Sequence, residues 1–117
     1  LDAGAKVRVV APNLGIPVGR LAASGAIAVE QRTARAEDVG EAWYVLAASN
    51  DPNVNAMIAA EAERRHTFCC RADDALGGTA TTPTTASAGG LTVAVIGDRN
   101  PRRSVRVRDE LLQVLQD

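Results

Sequence analysis

Two adjacent carboxylates, Asp73 and Asp74, follow a strand-like run at Thr67–Arg71. A carboxylate just past the carboxyl end of a strand stands where open α/β sheets hold ligands, and it can accept a proton from a substrate. Aspartate is also a common turn former, so both explanations apply to this pair. Pro12 and Asn13 close a second run, Lys6–Val10. The Asn13 amide can hydrogen-bond a hydroxyl, and a Pro-Asn turn accounts for the same two residues equally well. Ala48, Ser49 and Asn50 close a third run, Ala42–Ala48. They can meet a ligand or cap the helix that follows, and a serine does both.

Five arginines, Arg99, Arg102, Arg103, Arg106 and Arg108, crowd the start of the last helical segment. Guanidinium forks bind carboxylates or phosphates, while the plainer reading is a solvated helix start. Cys69 and Cys70 are neighbours on a strand, so their side chains point to opposite faces and cannot share one metal. At least one of them is expected to be a small buried apolar residue, and no metal site is expected. His66, at a helix-to-strand junction, suits the carboxyl end of a helix.

These residues need elements to hold them. Runs at Lys6–Val10, Ala26–Glu30, Ala42–Ala48 and Thr67–Arg71 alternate with helical segments, the pattern of a parallel α/β sheet. Pro17 to Ser24 makes a short helix stopped by Gly25, and Gly4 suits the left-handed residue that closes the tail of a helix ahead of the first run. The clearest helix runs from Asp51 to about Arg65: Ser49, Asn50 and Asp51 offer caps, Pro52 fits the first turn, and Val54, Ile58 and Ala62 share a face with Met57 beside them. After Ala72 the composition shifts. Gly77 to Gly90, rich in Gly, Thr and Ser, reads as a loop or a weak strand. Leu91–Ile96 reads as a strand, and Pro101 opens an amphipathic helix with Val107, Leu111, Val114 and Leu115 on one stripe. The expected division is residues 1–74, a partial Rossmann-like domain, and residues 75–117, a smaller appended unit.

The 117 residues suffice for one domain core, and 46% hydrophobic with 23% charged residues is an ordinary globular balance. Trp43, Tyr44 and Phe68 are the only aromatics, so the core must be aliphatic and a base-stacking platform is not expected. A net charge of −1 gives no general affinity for polyanions, and no run is long enough for a membrane span. Neither nucleic acid nor membrane is an expected partner, and two adjacent cysteines point to a reducing cytoplasm. No G-x-G-x-x-G turn occurs: Gly77-Gly78 and Gly89-Gly90 lack that spacing. The chain therefore reads as an N-terminally truncated piece, a Rossmann-like parallel sheet lacking its first strand.

In order, Leu1–Pro12, Ala47-Ala48-Ser49-Asn50-Asp51-Pro52-Asn53-Val54-Asn55, Phe68-Cys69-Cys70-Arg71-Ala72-Asp73-Asp74, Leu91–Val95, Pro101 and Arg108-Asp109-Glu110-Leu111-Leu112 resemble the siroheme synthase N-terminal domain family. The resemblance covers essentially the whole chain, and the Ala47–Asn55 segment is its most specific part. It implies an NAD-dependent precorrin-2 dehydrogenase that oxidises precorrin-2 to sirohydrochlorin; in bifunctional members ferrous iron is then inserted. It further implies a Rossmann domain followed by a dimerisation unit, hence a homodimer, with NAD as cofactor and a tetrapyrrole as substrate.

Carried onto this sequence, the family pattern makes Asp73 the catalytic aspartate. In a Rossmann domain the strand-end residues Pro12, Asn13, Ala48, Ser49 and Asn50 would meet the cofactor, and because precorrin-2 is a polycarboxylate, Arg102, Arg103 and Arg106 are the candidates to bind it. Two departures stand out. The turn after Leu91–Val95 is Ile96-Gly97-Asp98-Arg99-Asn100, without the family's serine, and Ala80-Thr81-Thr82-Pro83 replaces an apolar strand. Both bear on iron chelation and on dimer packing. The alternative reading is a non-catalytic dimerising relic attached to a uroporphyrinogen methyltransferase.

Overall fold

The computed structural model describes residues 1–97 and 99–117, so Asp98 of the serine-less turn lies outside the described residues. The chain forms two compact units, Leu1–Ala80 and Thr81–Asp117. Segment 75–80, beyond the compositional break, stays with the first unit because Thr79 and Ala80 donate their backbone N–H groups to the Cys69 carbonyl at 2.8 and 3.0 Å. Thr79 Oγ1 in turn accepts from the Cys69 N–H at 3.0 Å.

In the first unit, strands β1 (Arg8–Val10) and β2 (Ala28–Glu30) pair in parallel, joined by helix α1 (Ile16–Ala23). Strands β3 (Tyr44–Ala47) and β4 (Phe68–Arg71) form a second parallel pair joined by helix α2 (Pro52–Arg64). The strands lie where the sequence places them, though shorter, and the two pairs are not hydrogen-bonded into one sheet. Ladder parity shows which edges remain. Ala28 donates to Val7 and Ala11 to Glu30, so Arg8 and Val10 turn their peptide groups away from β2. Ala72 donates to Ala47, so Tyr44 and Leu46 likewise turn theirs away from β4.

The core lies between α2 and one face of β3–β4. Ile58, Ala59 and Ala62 of α2 bury against Ala47 and Cys69, joined by Val39 from a short 3-10 turn at Ala36–Val39. Alternation along β4 puts Cys69 inside and leaves Phe68 exposed. The aromatics stand outside this aliphatic core: Trp43 is 93% exposed, and Tyr44 and Phe68 pair across the other face beside Leu46. Helix α2 starts as its sequence requires, with the Asp51 carboxylate accepting from Asn53 N–H at 2.9 Å. It ends in a Schellman arrangement, Thr67 N–H to Ala62 at 2.8 Å and His66 N–H to Glu63 at 3.0 Å, which puts His66 at φ 56°.

The segment between β2 and β3 is tied down by charge. Arg8 bonds Glu30 at 2.8 Å and Asp38 at 3.2 Å, while Arg32 bonds Glu30 at 2.7 Å and Asp38 at 2.6 Å. The Arg35 N–H adds a 2.7 Å bond to Asp38.

The second unit is a hairpin with a helix on one face. Strands β5 (Thr84–Ala88) and β6 (Leu91–Val95) pair antiparallel across Gly89-Gly90, whose φ values of 58° and 77° need glycine. The stretch read as a loop or weak strand is thus half of a regular hairpin. Helix α3 (Pro101–Gln116) is capped by Asn100, whose side chain accepts from Arg103 N–H at 3.1 Å. Its half-buried positions are Ser104, Val107, Arg108, Leu112 and Leu115, so the expected stripe is rotated and Val114 is exposed. The rotation follows from Arg108, which reaches Thr84 Oγ1 of β5 at 2.8 Å and lays its stem on the hairpin. Among the described residues no helix is long and apolar enough to cross a membrane.

The Arg32 hydrogen bond, outweighing desolvation and helped by the Arg35 N–H, holds Asp38 well below the usual carboxylate range. A depressed folded-state value contributes stability that is present above the unfolded value and lost as pH falls through the folded one. Asp38→Asn should therefore lower the melting temperature at neutral pH, with the gap to wild type narrowing below about pH 4. Melting curves recorded from pH 7 to strongly acidic buffer check this; a gap that stays constant throughout contradicts it.

Candidate functional site

The carboxyl ends of β1, β3 and β4 carry the residues singled out from the sequence. β1 runs out into Ala11, Pro12 and Asn13, β3 into Ala48, Ser49 and Asn50, and β4 into Ala72 and Asp73. Pro12, Asn13, Ala48, Ser49 and Asn50 are all exposed. Loops that leave parallel strands in this direction are free of the ladder and can turn polar groups toward a ligand.

At β3 and β4 these loops are organised by a residue that sequence reading passed over. Asn55, in the first turns of α2, is 1% exposed. Its Oδ1 accepts from Ser49 N–H at 2.9 Å and Ser49 Oγ at 2.8 Å, and its Nδ2 donates to the Ser49 carbonyl at 3.0 Å. Ser49 Oγ also accepts from Asp51 N–H at 3.2 Å. Every polar group of Ser49 is thus engaged within the loop, and the residue works as part of the helix start. Asn50 and the backbone of Ala48 are what this loop presents outward.

Asn55 also faces β4. Its amide is close enough to Asp73 to favour the ionised carboxylate, and the Arg71 fork does so more strongly. Arg71 Nη2 donates to Asp73 Oδ2 at 2.8 Å and Nε to Oδ1 at 3.1 Å. Asp73 therefore lies below the usual carboxylate range, chiefly through Arg71 and against some desolvation. Asp74 takes the turn-forming role: its carboxylate caps a 3-10 turn at Ala75–Gly77 through Leu76 N–H at 3.2 Å. Two neighbouring aspartates thus have different work. Among the described residues no buried side-chain polar atom lacks a partner.

Asn55 had a detectable signal, since it is a polar residue four before Ala59 and three before Ile58 on an otherwise apolar face. Arg71 had a weaker one, two positions before a carboxylate at a strand end.

The remaining candidates lie elsewhere. Arg102, Arg103 and Arg106 are exposed on the first turns of α3 in the second unit, where Arg106 reaches Glu110 at 4.0 Å. Cys69 is buried, burial pushes its thiol up, and Cys70 on the other face is half-buried. His66 lines a broad groove with Trp43, Arg64, Arg65 and Phe68 at the amino ends of β3 and β4, away from the strand ends that carry Asp73.

Asn13 and Asn50 give exposed amides at two strand ends that suit the hydroxyls of a dinucleotide. The positive-φ glycines, by contrast, close a turn (Gly4), follow α1 (Gly25), follow the Ala36–Val39 turn (Gly40) or form the hairpin (Gly89, Gly90). None leads from a strand into a helix to cradle a pyrophosphate. The described residues thus fit part of such a cofactor.

A family model described as "Putative NAD(P)-binding" matches residues 1–84. Over 69 residues, 59% of this chain, the sequence is 38% identical to siroheme synthase 1 of Aeromonas hydrophila subsp. hydrophila, and the match covers 15% of that protein. Against siroheme synthase of Pseudomonas entomophila the identity is 39% over 64 residues, 55% of this chain and 14% of the relative. The chain thus spans a small part of the curated relatives it matches. Among solved structures, SirC, a precorrin-2 dehydrogenase, superposes with a TM-score of 0.80 at 23% identity, covering 97% of this chain and 56% of that one. That likeness establishes the Rossmann-like α/β fold.

Because the buried Asn55 makes three hydrogen bonds to Ser49, Asn55→Ala should cost about 1–3 kcal/mol of unfolding free energy, at roughly 1 kcal/mol for each bond lost. Urea titration is the measurement, with the midpoint falling and the slope unchanged. A midpoint equal to wild type would mean that water replaces the amide without cost.

Proposed function

The chain belongs to the NAD(P)-binding family matched over residues 1–84, of the siroheme synthase N-terminal type, and from that premise we propose that it acts in the oxidation of precorrin-2 to sirohydrochlorin with NAD. What carries the reading is one observation: Asp73 stands at the carboxyl end of β4, its carboxylate held at two points by Arg71 at 2.8 and 3.1 Å.

When bound, the nicotinamide supplies a hydride acceptor. The chain's own residues do the rest. Hydride loss from a tetrapyrrole carbon leaves a ring system that must shed a proton, and an Asp73 carboxylate oxygen accepts it. The side chain of Asp73 is 27% exposed, open enough to meet a substrate. Pro12 and Asn13 would border the adenosine ribose, where the Asn13 amide would offer a hydrogen bond to a hydroxyl. Ala48 and Asn50 border the middle of the cofactor, and Ser49 holds that loop in shape through Asn55. Arg102, Arg103 and Arg106 offer guanidinium groups to the substrate's carboxylates.

In the intact protein, Asp73→Asn should leave folding and NAD affinity nearly unchanged while slowing sirohydrochlorin formation by roughly two or more orders of magnitude. Oxidation of precorrin-2 at the wild-type rate would return Asp73 to the role of a turn former. For the arginines, exposed ion pairs contribute only about 0–1 kcal/mol each, so the fair trial changes Arg102, Arg103 and Arg106 to Gln together. The Michaelis constant for precorrin-2 should rise and that for NAD stay fixed, with high salt imitating the change. A triple variant with both constants at wild-type values rejects the assignment.

A further inference from the structure

Proton acceptance by Asp73 leaves Arg71 unexplained. A guanidinium is costly to cover, yet this side chain is 12% exposed. It is covered by the turn that follows. A Cβ placed on Gly77 would come within 2.7 Å of Arg71 Nη1 and 3.0 Å of its Cδ, and within 2.9 Å of Asp74 Oδ2. Gly77 has an ordinary φ, so what a side chain there would displace is the end of the Arg71 side chain. The next residue closes in on the strand itself, since a Cβ on Gly78 would come within 2.5 Å of the Cys69 carbonyl oxygen. Arg71 therefore lies in a slot between β4 and the Ala75–Gly77 turn, and the missing side chain of Gly77 sets the width of that slot. From the slot it makes the two-point contact with Asp73 at 2.8 and 3.1 Å. A fork of this kind takes one lone pair from each carboxylate oxygen and leaves the others for a second partner.

We propose that Arg71 is the positioning residue of Asp73: lodged beneath Gly77, its guanidinium fixes the plane of the carboxylate and supplies the positive charge beside it. This rests on the reading of Asp73 as proton acceptor. The groups around the pair are few. Helix α2 contributes the uncharged Asn55 amide, the turn contributes Asp74, and β4 contributes the Cys69 thiol, which burial keeps protonated. Arg71 is the cation among them. A free carboxylate at a strand end rotates and loses its charge in mild acid. With Arg71 in place, Asp73 is a weaker base that keeps its accepting form, in one orientation, to lower pH.

The test follows Asp73 in the intact protein by carboxyl-carbon NMR and, in parallel, the pH dependence of kcat for precorrin-2 oxidation. Arg71→Met should raise the Asp73 midpoint by about one pH unit or more, because an adjacent opposite charge ordinarily lowers a carboxyl by 1–3 units. The acid limb of kcat should move up with it, while KM for NAD stays fixed. Arg71→Lys restores the charge without the fork, so the midpoint should return toward wild type while kcat stays below it by about tenfold. Gly77→Ala, which pushes the guanidinium aside and leaves Arg71 in the chain, should raise the midpoint as well, and it carries the test if Arg71→Met does not fold.

A merely structural Arg71 would lower the melting temperature in all three variants and leave kcat and its acid limb at wild-type values, and that result overturns the proposal. The NMR arm separates the two readings. An unmoved midpoint in a folded variant overturns the role of Arg71 even when the wild type oxidises precorrin-2. A raised midpoint alongside a wild type that never oxidises precorrin-2 supports the hold of Arg71 on Asp73 and overturns instead the function assigned to the carboxylate.

Discussion

The first unit depends on how closely α2 approaches β3–β4. Ala59 and Ala62 on the helix, with Ala47 and Cys69 on the strands, are all small, so the backbones pack tightly with little side-chain volume between them. That closeness lets one more α2 residue, Asn55, reach the loop at the end of β3 with both ends of its amide. Larger residues at these positions would lift the helix away and break a polar contact with no slack in it. The position of the candidate site is therefore a consequence of packing density, and the hydrogen bonds record it.

Polar groups at the strand ends then divide the work by what each must satisfy. Ser49 is consumed by Asn55 and the start of α2, Asp74 by the turn at Ala75–Gly77, and Asp73 by Arg71. Asp73 differs from the other two because its partner is a cation that leaves its oxygens able to accept again. A neutral donor would fix the same carboxylate without holding it charged. The distinction between two adjacent aspartates arises from the partners that folding brings to each, and each residue's intrinsic chemistry is the same.

The second unit obeys a separate logic. Its hairpin is closed by Gly89-Gly90 in conformations other residues avoid, and Arg108 ties α3 to Thr84. Among the arginines at the start of α3, this one therefore serves packing, while Arg102, Arg103 and Arg106 stay on the exposed side. The four arginines that α3 carries, alike in sequence, are split by helical phase into one structural member and three outward ones.

The sequence by itself determined the local features of this protein. Strand runs of β-branched residues, the Asp51-Pro52 helix start, the left-handed Gly4 and the Gly89-Gly90 pair each follow from steric and hydrogen-bonding preferences acting within a few residues. An aliphatic core was legible from three aromatics alone, and Asp73 at a strand end was legible as a candidate. What required the tertiary structure were relations between segments far apart in the chain. Nothing local announces that Asn55 holds the Ser49 loop, that the turn at Gly77 lies over Arg71, or that the strands form two separate parallel pairs. Each depends on which segments meet once α2 lies on its sheet, and those meetings are set by the packing of the whole unit.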